Sequence, residues 1–203
     1  MKNSKTDTTV VPAGGLIGRV SFDEEGAARK LESLLDVGLG HIQQSQVLIV
    51  CVGTDRSTGD AFGPIIGSRL KEMPRIPGVD VLGTLDEPVH AVNLVYTLES
   101  IKERYRTPPF IIALDACLGK FDHVGQISVE NGPLRPGAGV KKSLPEFGDL
   151  TLTGIVNVSG FMEYFVLQNT RLSIVMRMCE TVVNALRGSL HKHHFRQTMR
   201  MGI

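Results

Sequence analysis

The feature that most constrains the fold is an uninterrupted run of apolar, mostly β-branched residues, VLIVCVG at 47–53. Such a run is typical of a strand that is buried on both faces of a sheet. Two further runs, VDVLGTL at 79–85 and FIIAL at 110–114, alternate with helical patterns at 61–73 and 90–105. Strands and helices in this alternation predict right-handed βαβ units, and therefore a parallel sheet covered by helices.

The second half of the chain breaks this alternation. The segment GQISVE at 125–130 follows too soon after Asp115 for a helical crossover, so we expect this strand to run antiparallel to its neighbour. A last strand, LTLTGIVNV, is predicted at 150–158. The sequence therefore predicts a single α/β domain over residues 21–188, with a mixed, mostly parallel, five-stranded sheet.

The two ends of the chain lack such patterns. Residues 1–20 are polar and Gly-rich, which predicts a flexible N-terminal arm. A helix predicted at 171–187 is followed by Gly188, a residue suited to ending a helix, so residues 189–203 are expected to form a basic tail.

The segment FMEYFVLQ at 161–168 is apolar on nearly all sides. A surface helix of a monomer is normally amphipathic, so we expect this one to be buried beneath the helix at 171–187. The alternative is that part of it contacts a second copy of the chain in a homodimer.

Charge and cysteine content exclude several classes of protein. Basic and acidic residues number 22 and 21, so bulk charge does not drive binding to nucleic acid. The three cysteines form no CxxC pair, which favours a reducing compartment. No stretch of about 18 apolar residues occurs, so we predict a cytoplasmic protein without a membrane segment.

Two aspartates are expected at the edge of the sheet where ligands bind in open α/β folds. Asp60 lies in the Gly-rich loop after the first strand, and Asp115 directly follows the apolar run FIIAL. A carboxylate against apolar walls is costly unless it is paired or used. If Asp115 faces Asp60, one of the two holds a proton near neutral pH, an arrangement that activates water in acid–base catalysis.

Each of these residue types also has a structural interpretation. Asp60 precedes a helix and could be its N-cap, while Asp55 could stabilise its own turn. Cys117 has no histidine close in sequence, so a buried thiol is favoured over a nucleophile. The loop at 53–64 matches neither the phosphate-binding loop nor the dinucleotide fingerprint, and no HExxH motif occurs, so we predict neither a cofactor nor a metal.

Three segments, taken in order, resemble the motifs of the spore germination protease superfamily. They are CVGTDRSTGDAFGPIIG at 51–67, FIIALDACLGK at 110–120 and GQISVENGPLRPGAGVKKSLPE at 125–146. The smaller YyaC-like sporulation protein group within that superfamily is the most similar. In this resemblance Asp60 and Asp115 correspond to the two catalytic aspartates of the protease.

The resemblance implies a three-layer αβα sandwich of the phosphorylase/hydrolase type. It also implies an atypical aspartic endopeptidase that acts during spore germination, with small acid-soluble spore proteins as substrates in the spore or forespore interior. The chain departs from the protease in having Gly59 where a proline stands, and in being much shorter. The alternative is a catalytically inactive sporulation protein that keeps the cleft to bind a peptide or protein.

Several residues in the loops of this edge are expected to contact a peptide substrate. We expect residues 131–148 to form a mobile flap beside the cleft, because Gly and Pro there resist regular structure. The predicted contacts are Thr54, Asp55, Glu87, His90, Lys120, Gly137, Gly139 and Lys141.

Overall fold

The computed structural model describes residues 15–40, 42, 44, 46–136 and 144–200. Within these residues the chain forms one six-stranded sheet with the strand order β1-β5-β6-β4-β2-β3. The strands are β1 (Leu16–Ser21), β2 (Val47–Cys51), β3 (Val79–Leu82), β4 (Phe110–Gly119), β5 (Gln126–Asn131) and β6 (Leu150–Val158). The helices are α1 (Ala27–Leu39), α2 (Phe62–Glu72), α3 (Leu94–Arg104), α4 (Glu163–Gln168) and α5 (Leu172–Arg200), with a short 3₁₀ turn at Phe121–His123.

The sheet is mixed and mostly parallel, as the sequence predicts. Strands β2, β3, β4 and β6 pair in parallel. Strand β5 runs antiparallel to both of its neighbours, β1 and β6. The short connection between β4 and β5 leaves no room for a helical crossover, which is why β5 reverses direction.

Helices cover both faces of the sheet, which gives three layers. On one face, α1, α2 and α5 pack on Ile49, Leu114, Ile127 and their neighbours in the main apolar core. On the other face, α3 packs on Leu48 and Val50 of β2. Because successive residues of β2 point to opposite faces and both faces are covered, the whole strand is buried. This explains the continuous apolar run in its sequence.

The prediction of five strands is wrong, because β1 adds a sixth. This strand lies in the stretch that was expected to be a flexible arm, and it pairs antiparallel with β5 at the sheet edge. Val20 is its one fully buried side chain, while Leu16 and Arg19 are exposed. An edge strand with so little burial carries almost no alternating pattern, so its sequence resembled a loop.

The C-terminal helix also extends beyond its predicted end at residue 187. It continues through Gly188, and the Glu32 carboxyl group of α1 lies beside this glycine, with its Cδ 2.5 Å from where a Cβ would stand. Leu190 is buried, and the Lys192 ammonium bonds Glu32 and Asp36 at 2.7 and 2.8 Å. Residues 189–200 therefore belong to the domain and are not a separate tail.

The apolar segment at 161–168 is not buried beneath α5, so that expectation is wrong. Phe161 is 91% exposed and Tyr164 is 71% exposed. Met162 and Phe165 are also exposed, and we call these four residues the α4 apolar patch. The face of α5 that was expected to cover them is used instead by α1, α2 and the sheet. No helix among the described residues has the length and apolarity needed to cross a membrane.

Candidate functional site

Asp60 is held by a loop that folds back on itself between β2 and α2. The Thr54 amide donates to the Asp60 carbonyl oxygen at 3.2 Å. Gly53 has a φ of 145°, and a side chain there would collide with that carbonyl group. A glycine is therefore required at this position for the loop to close. The N-cap of α2 is Ala61, not Asp60, so the capping interpretation is wrong.

The same loop is tied to α4 on its other side. The Gly59 amide donates to the Leu167 carbonyl oxygen at 2.9 Å, and a Cβ on Gly59 would lie 2.8 Å from the Leu167 side chain. Helix α4 is fixed in turn by Asn157 of β6, whose side-chain amide donates to Val166 and Thr170. These bonds couple the position of Asp60 to the end of β6.

Asp115 lies within β4 rather than after it, because β4 continues to Gly119. The pairing of β2 with β4 ends at Leu114, so from Asp115 onward β4 pairs with β6 alone. Asp115 therefore lies just beyond the end of β2, on the part of β4 that no longer pairs with that strand. Its side chain is half-buried, and one carboxyl oxygen accepts a hydrogen bond from the Ala116 amide at 2.8 Å.

The two carboxyl groups influence each other. Burial raises the pKa of Asp115 to about 8, with the negative charge of Asp60 as the second cause and the Ala116 amide as a smaller opposing one. Burial also raises the pKa of Asp60. The nearby Ser57 hydroxyl acts in the opposite direction and lowers the pKa of Asp60, although the two groups do not meet the geometry of a hydrogen bond. At neutral pH Asp115 is consequently the protonated member of the pair, and Asp60 is the one that ionises first.

Thr54 and Asp55 lie in the Asp60 loop, where Thr54 makes the turn bond that was assigned to Asp55. The Thr54 hydroxyl oxygen accepts from the Arg56 amide at 3.3 Å, while Asp55 is exposed and faces that same hydroxyl at 3.4 Å. The Asx-turn interpretation of Asp55 is therefore wrong. Asp55 is exposed at the rim of the loop, where its carboxylate accepts a hydrogen bond from the Thr54 hydroxyl.

His90 is brought beside this loop by a bridge between Val52 and Val89, and the Gly53 amide donates to Val89 at 2.8 Å. The buried Nδ1 of His90 has no hydrogen-bond partner among the described residues. Glu87 lies farther out, with its side chain 82% exposed and its carboxylate 3.8 Å from Lys71. The structure therefore brings His90 to the site and leaves Glu87 on the surface.

Cys117 lies on the same face of β4 as Asp115, two residues farther along. Burial and the charge of Asp115 raise the pKa of the Cys117 thiol to about 11. The thiol thus stays protonated at neutral pH and is a poor nucleophile. Lys120 is exposed just beyond the end of β4. Gly137, Gly139 and Lys141 lie outside the described residues, as does the middle of the expected flap, 137–143.

Thr153 and Ser57 are site residues that the sequence analysis did not identify. Thr153 of β6 is the direct cross-strand partner of Asp115. The register between the strands LTLTGIVNV and FIIALDACLG places Thr153 beside Asp115, but that register cannot be read from the sequence. Among the described residues, no group of three or more His, Cys, Asp and Glu side chains is placed to hold a metal ion.

A separate depression at the β3 edge of the sheet contains neither aspartate. Asp80, Arg104 and Arg187 are among its lining residues. Asp80 there is engaged by Arg75, Arg104 and the Tyr105 hydroxyl. The lining holds four basic side chains, Lys71, Arg75, Arg104 and Arg187, against the two carboxylates of Asp80 and Glu87.

Comparisons with known proteins give one family and two similar proteins. The family model described as Protein of unknown function (DUF1256) matches residues 19–185. The uncharacterized protein YyaC of Bacillus subtilis (strain 168) is 49% identical over 167 residues, which cover 82% of this chain and 80% of YyaC. Among solved structures, the chain is similar to the NiFe hydrogenase maturation protease HycI from Thermococcus kodakarensis KOD1. That similarity has a TM-score of 0.44 and 17% identity, and it covers 74% of this chain and 94% of HycI.

Proposed function

This chain belongs to the DUF1256 family and to the YyaC-like group that its motifs indicate, and we propose that it is a peptidase-like hydrolase of the aspartic type. In this proposal Asp60 and Asp115 activate a water molecule for attack on a peptide bond. The observation that supports the proposal is the electrostatic effect of one carboxyl group on the other. Burial and the negative charge of Asp60 raise the pKa of Asp115 to about 8, so Asp115 holds a proton at neutral pH and can act as the acid beside Asp60.

The Asp60 carboxylate acts as the general base. It accepts a proton from the water while the water oxygen bonds to the carbonyl carbon of the substrate. Asp115 acts as the acid and donates its proton to the amide nitrogen as the carbon–nitrogen bond breaks. Asp60 then carries a proton and Asp115 a negative charge, and proton exchange with solvent restores the starting state. The hydrogen bond from the Ala116 amide supports Asp115 while it is ionised.

The resemblance to the spore germination protease suggests the substrate and place of action. We propose small acid-soluble spore proteins as the substrates and the spore or forespore interior as the location. Thr54 and His90 are the described residues best placed to contact such a substrate, since both border the Asp60 loop. No cofactor enters this mechanism.

The test is incubation of the purified protein with small acid-soluble spore proteins, followed by mass spectrometry of the fragments. The expected result is cleavage that is lost in Asp60→Asn and in Asp115→Asn. Glu103→Gln, which removes an exposed carboxylate on α3, serves as the matched control and retains cleavage. Cleavage that persists in both Asp variants contradicts the proposal.

A second candidate function is a non-catalytic protein that binds a peptide or protein partner. The exposed aromatic side chains of the α4 apolar patch favour it, because such clusters often mark interaction surfaces. Its signature is binding of spore proteins without fragments, unchanged when both aspartates are replaced by asparagine.

A further inference from the structure

A row of polar side chains crosses four strands and ends at Asp115. Arg19 of β1 lies directly opposite Ser128 of β5, and Ser128 lies opposite Thr153 of β6. Thr153 in turn lies opposite Asp115 of β4. Directly opposed residues project from the same face of a sheet, so these four side chains form one continuous strip, which we call the polar strip.

Contacts within the strip are consistent with this placement. The Arg19 Nε donates to the Ser128 hydroxyl oxygen at 3.0 Å, so the arginine side chain lies over β5 and points toward Asp115. Cys117 lies two residues from Asp115 on the same face of β4. The strip is therefore a connected polar surface rather than a set of isolated side chains.

This half of the sheet face is not covered by α3. The apolar cluster on this face joins α3 to β2 and the first half of β4, and within the described residues it contains no residue of β1, β5 or β6. The helices α1, α2 and α5 pack on the opposite face. Within the described residues, Arg19 at one end of the strip is exposed, and Thr153 and Asp115 at the other end are partly exposed. Ser128 between them is only 2% exposed, where the Arg19 side chain lies over it.

Arg19 is the charged end of the strip. It is exposed, and within the described part of the chain no carboxylate lies within 4 Å of it. One of its five N–H donors is used by Ser128, which leaves the outer fork of the guanidinium available. That fork matches the two oxygens of a carboxylate better than any other common side-chain group.

We propose that the polar strip is the groove in which an extended polypeptide substrate lies, and that Arg19 binds an acidic side chain of that substrate. This inference rests on the proposed function and names its substrate class. Neighbouring strands are about 4.8 Å apart, so a guanidinium above β5 lies roughly 10 Å from Asp115, which an extended peptide spans in about three residues. The acidic side chain is therefore expected about three residues from the bond that is cleaved.

The experiment measures binding separately from cleavage. The Asp60→Asn, Asp115→Asn double variant is immobilised and exposed to a peptide mixture made by chymotryptic digestion of a bacterial proteome, and retained peptides are identified by mass spectrometry. We expect Asp or Glu to be enriched at one position of the retained peptides, at a fixed number of residues from the other positions that show a preference. Adding Arg19→Gln is expected to lower that enrichment about tenfold, since a charge-assisted hydrogen bond is lost. Arg19→Lys is expected to retain part of it, and Arg29→Gln on α1 all of it.

The outcomes separate this inference from the proposed function. Equal acidic enrichment with and without Arg19 overturns the inference, and so does the absence of any retained peptide. If Arg19→Gln does not fold, the Arg19→Lys protein decides, because a side chain without the fork must then show weaker enrichment. A third outcome is that enrichment of acidic peptides depends on Arg19 while cleavage does not need the two aspartates. This outcome supports binding along the polar strip and contradicts the proposed catalytic pair.

Discussion

Burial and, second to it, the negative charge of Asp60 raise the pKa of Asp115, although the two residues come from different parts of the chain. Asp60 is carried by the loop after β2, and Asp115 stands on β4 at the point where pairing with β2 ends. Both parts of the site therefore depend on where β2 ends. The loop that carries Asp60 begins there, and β4 beyond that point no longer pairs with β2.

The first prediction concerns the pH dependence of activity. Asp115 must be protonated to act as the acid, and its pKa is raised to about 8. Peptide cleavage is therefore expected to fall as the pH rises through about 8. The loss of either aspartate removes acid–base assistance, which typically contributes a factor of about 10² to 10⁴. A pH–rate profile measures the fall of cleavage with pH, and a profile in which the rate still rises above pH 9 contradicts this prediction.

The second prediction concerns the pH dependence of stability. The pKa of Asp115 is above its ordinary value of 3.8 in the folded state, so the folded chain binds more protons than the unfolded chain between about pH 4 and 8. Stability is therefore expected to fall as the pH rises through that window, by at most about 4 kcal/mol between pH 5 and 8. Urea unfolding at both pH values measures this.

Asp115→Asn is the comparison for that measurement. It removes the titrating group, so the stability difference between pH 5 and 8 is expected to shrink in the variant. The same difference in both proteins would show that Asp115 titrates alike in the folded and unfolded chains.

The third prediction concerns the loop that holds Asp60. Gly53→Ala is expected to destabilise the fold by about 2 kcal/mol or more and to reduce cleavage, because the new side chain meets the Asp60 carbonyl group. Gly26→Ala is the matched control. Gly26 also has a positive φ, but no atom lies within 4 Å of a Cβ there. Thermal unfolding of both variants separates the collision from the backbone strain, and equal losses would argue against a constrained loop.

The fourth prediction concerns the last three turns of α5. Leu190 is 1% exposed, so Leu190→Ala is expected to cost about 2–4 kcal/mol of unfolding free energy. His191→Ala changes an exposed neighbour and is expected to cost little. Chemical denaturation compares the two. If Leu190→Ala is as stable as the native protein, this end of the helix does not belong to the folded domain.

The fifth prediction concerns the α4 apolar patch. We expect the protein to self-associate through this patch, since four large apolar side chains lie together on the surface. Phe165→Glu is expected to give a monomer with an unchanged melting temperature, because Phe165 is 56% exposed. Analytical ultracentrifugation measures both proteins. A native protein that stays monomeric at high concentration rules out this role for the patch.

The central strands could be predicted from the sequence, while the edges could not. Strand β2 is buried on both faces, and so its apolar run is continuous and its neighbours follow from the βαβ alternation. Strand β1 has one fully buried residue, Val20, and its pairing with β5 joins residues that are far apart in the sequence. No local pattern records such a pairing.

The two aspartates were identifiable because Asp60 lies in a Gly-rich loop and Asp115 directly follows the apolar run FIIAL. Their surroundings were not identifiable in the same way. Thr153 and Arg19 join Asp115 only through the registers of three strand pairs, and register depends on the folded sheet. The end of α5 was missed because Gly188 is a typical residue for ending a helix, whereas α5 continues through it to Arg200.

The most direct test of the catalytic pair is an NMR titration of the ¹³C-labelled aspartate carboxyl groups, assigned with Asp60→Asn and Asp115→Asn. In the native protein, the resonance of Asp115 is expected to titrate near pH 8, with Asp60 ionising at lower pH. In Asp60→Asn, the pKa of Asp115 is expected to fall, because one of its two raising causes is removed, yet to stay above its ordinary value through burial. Titration of Asp115 near its ordinary value of 3.8 in both proteins would contradict the account.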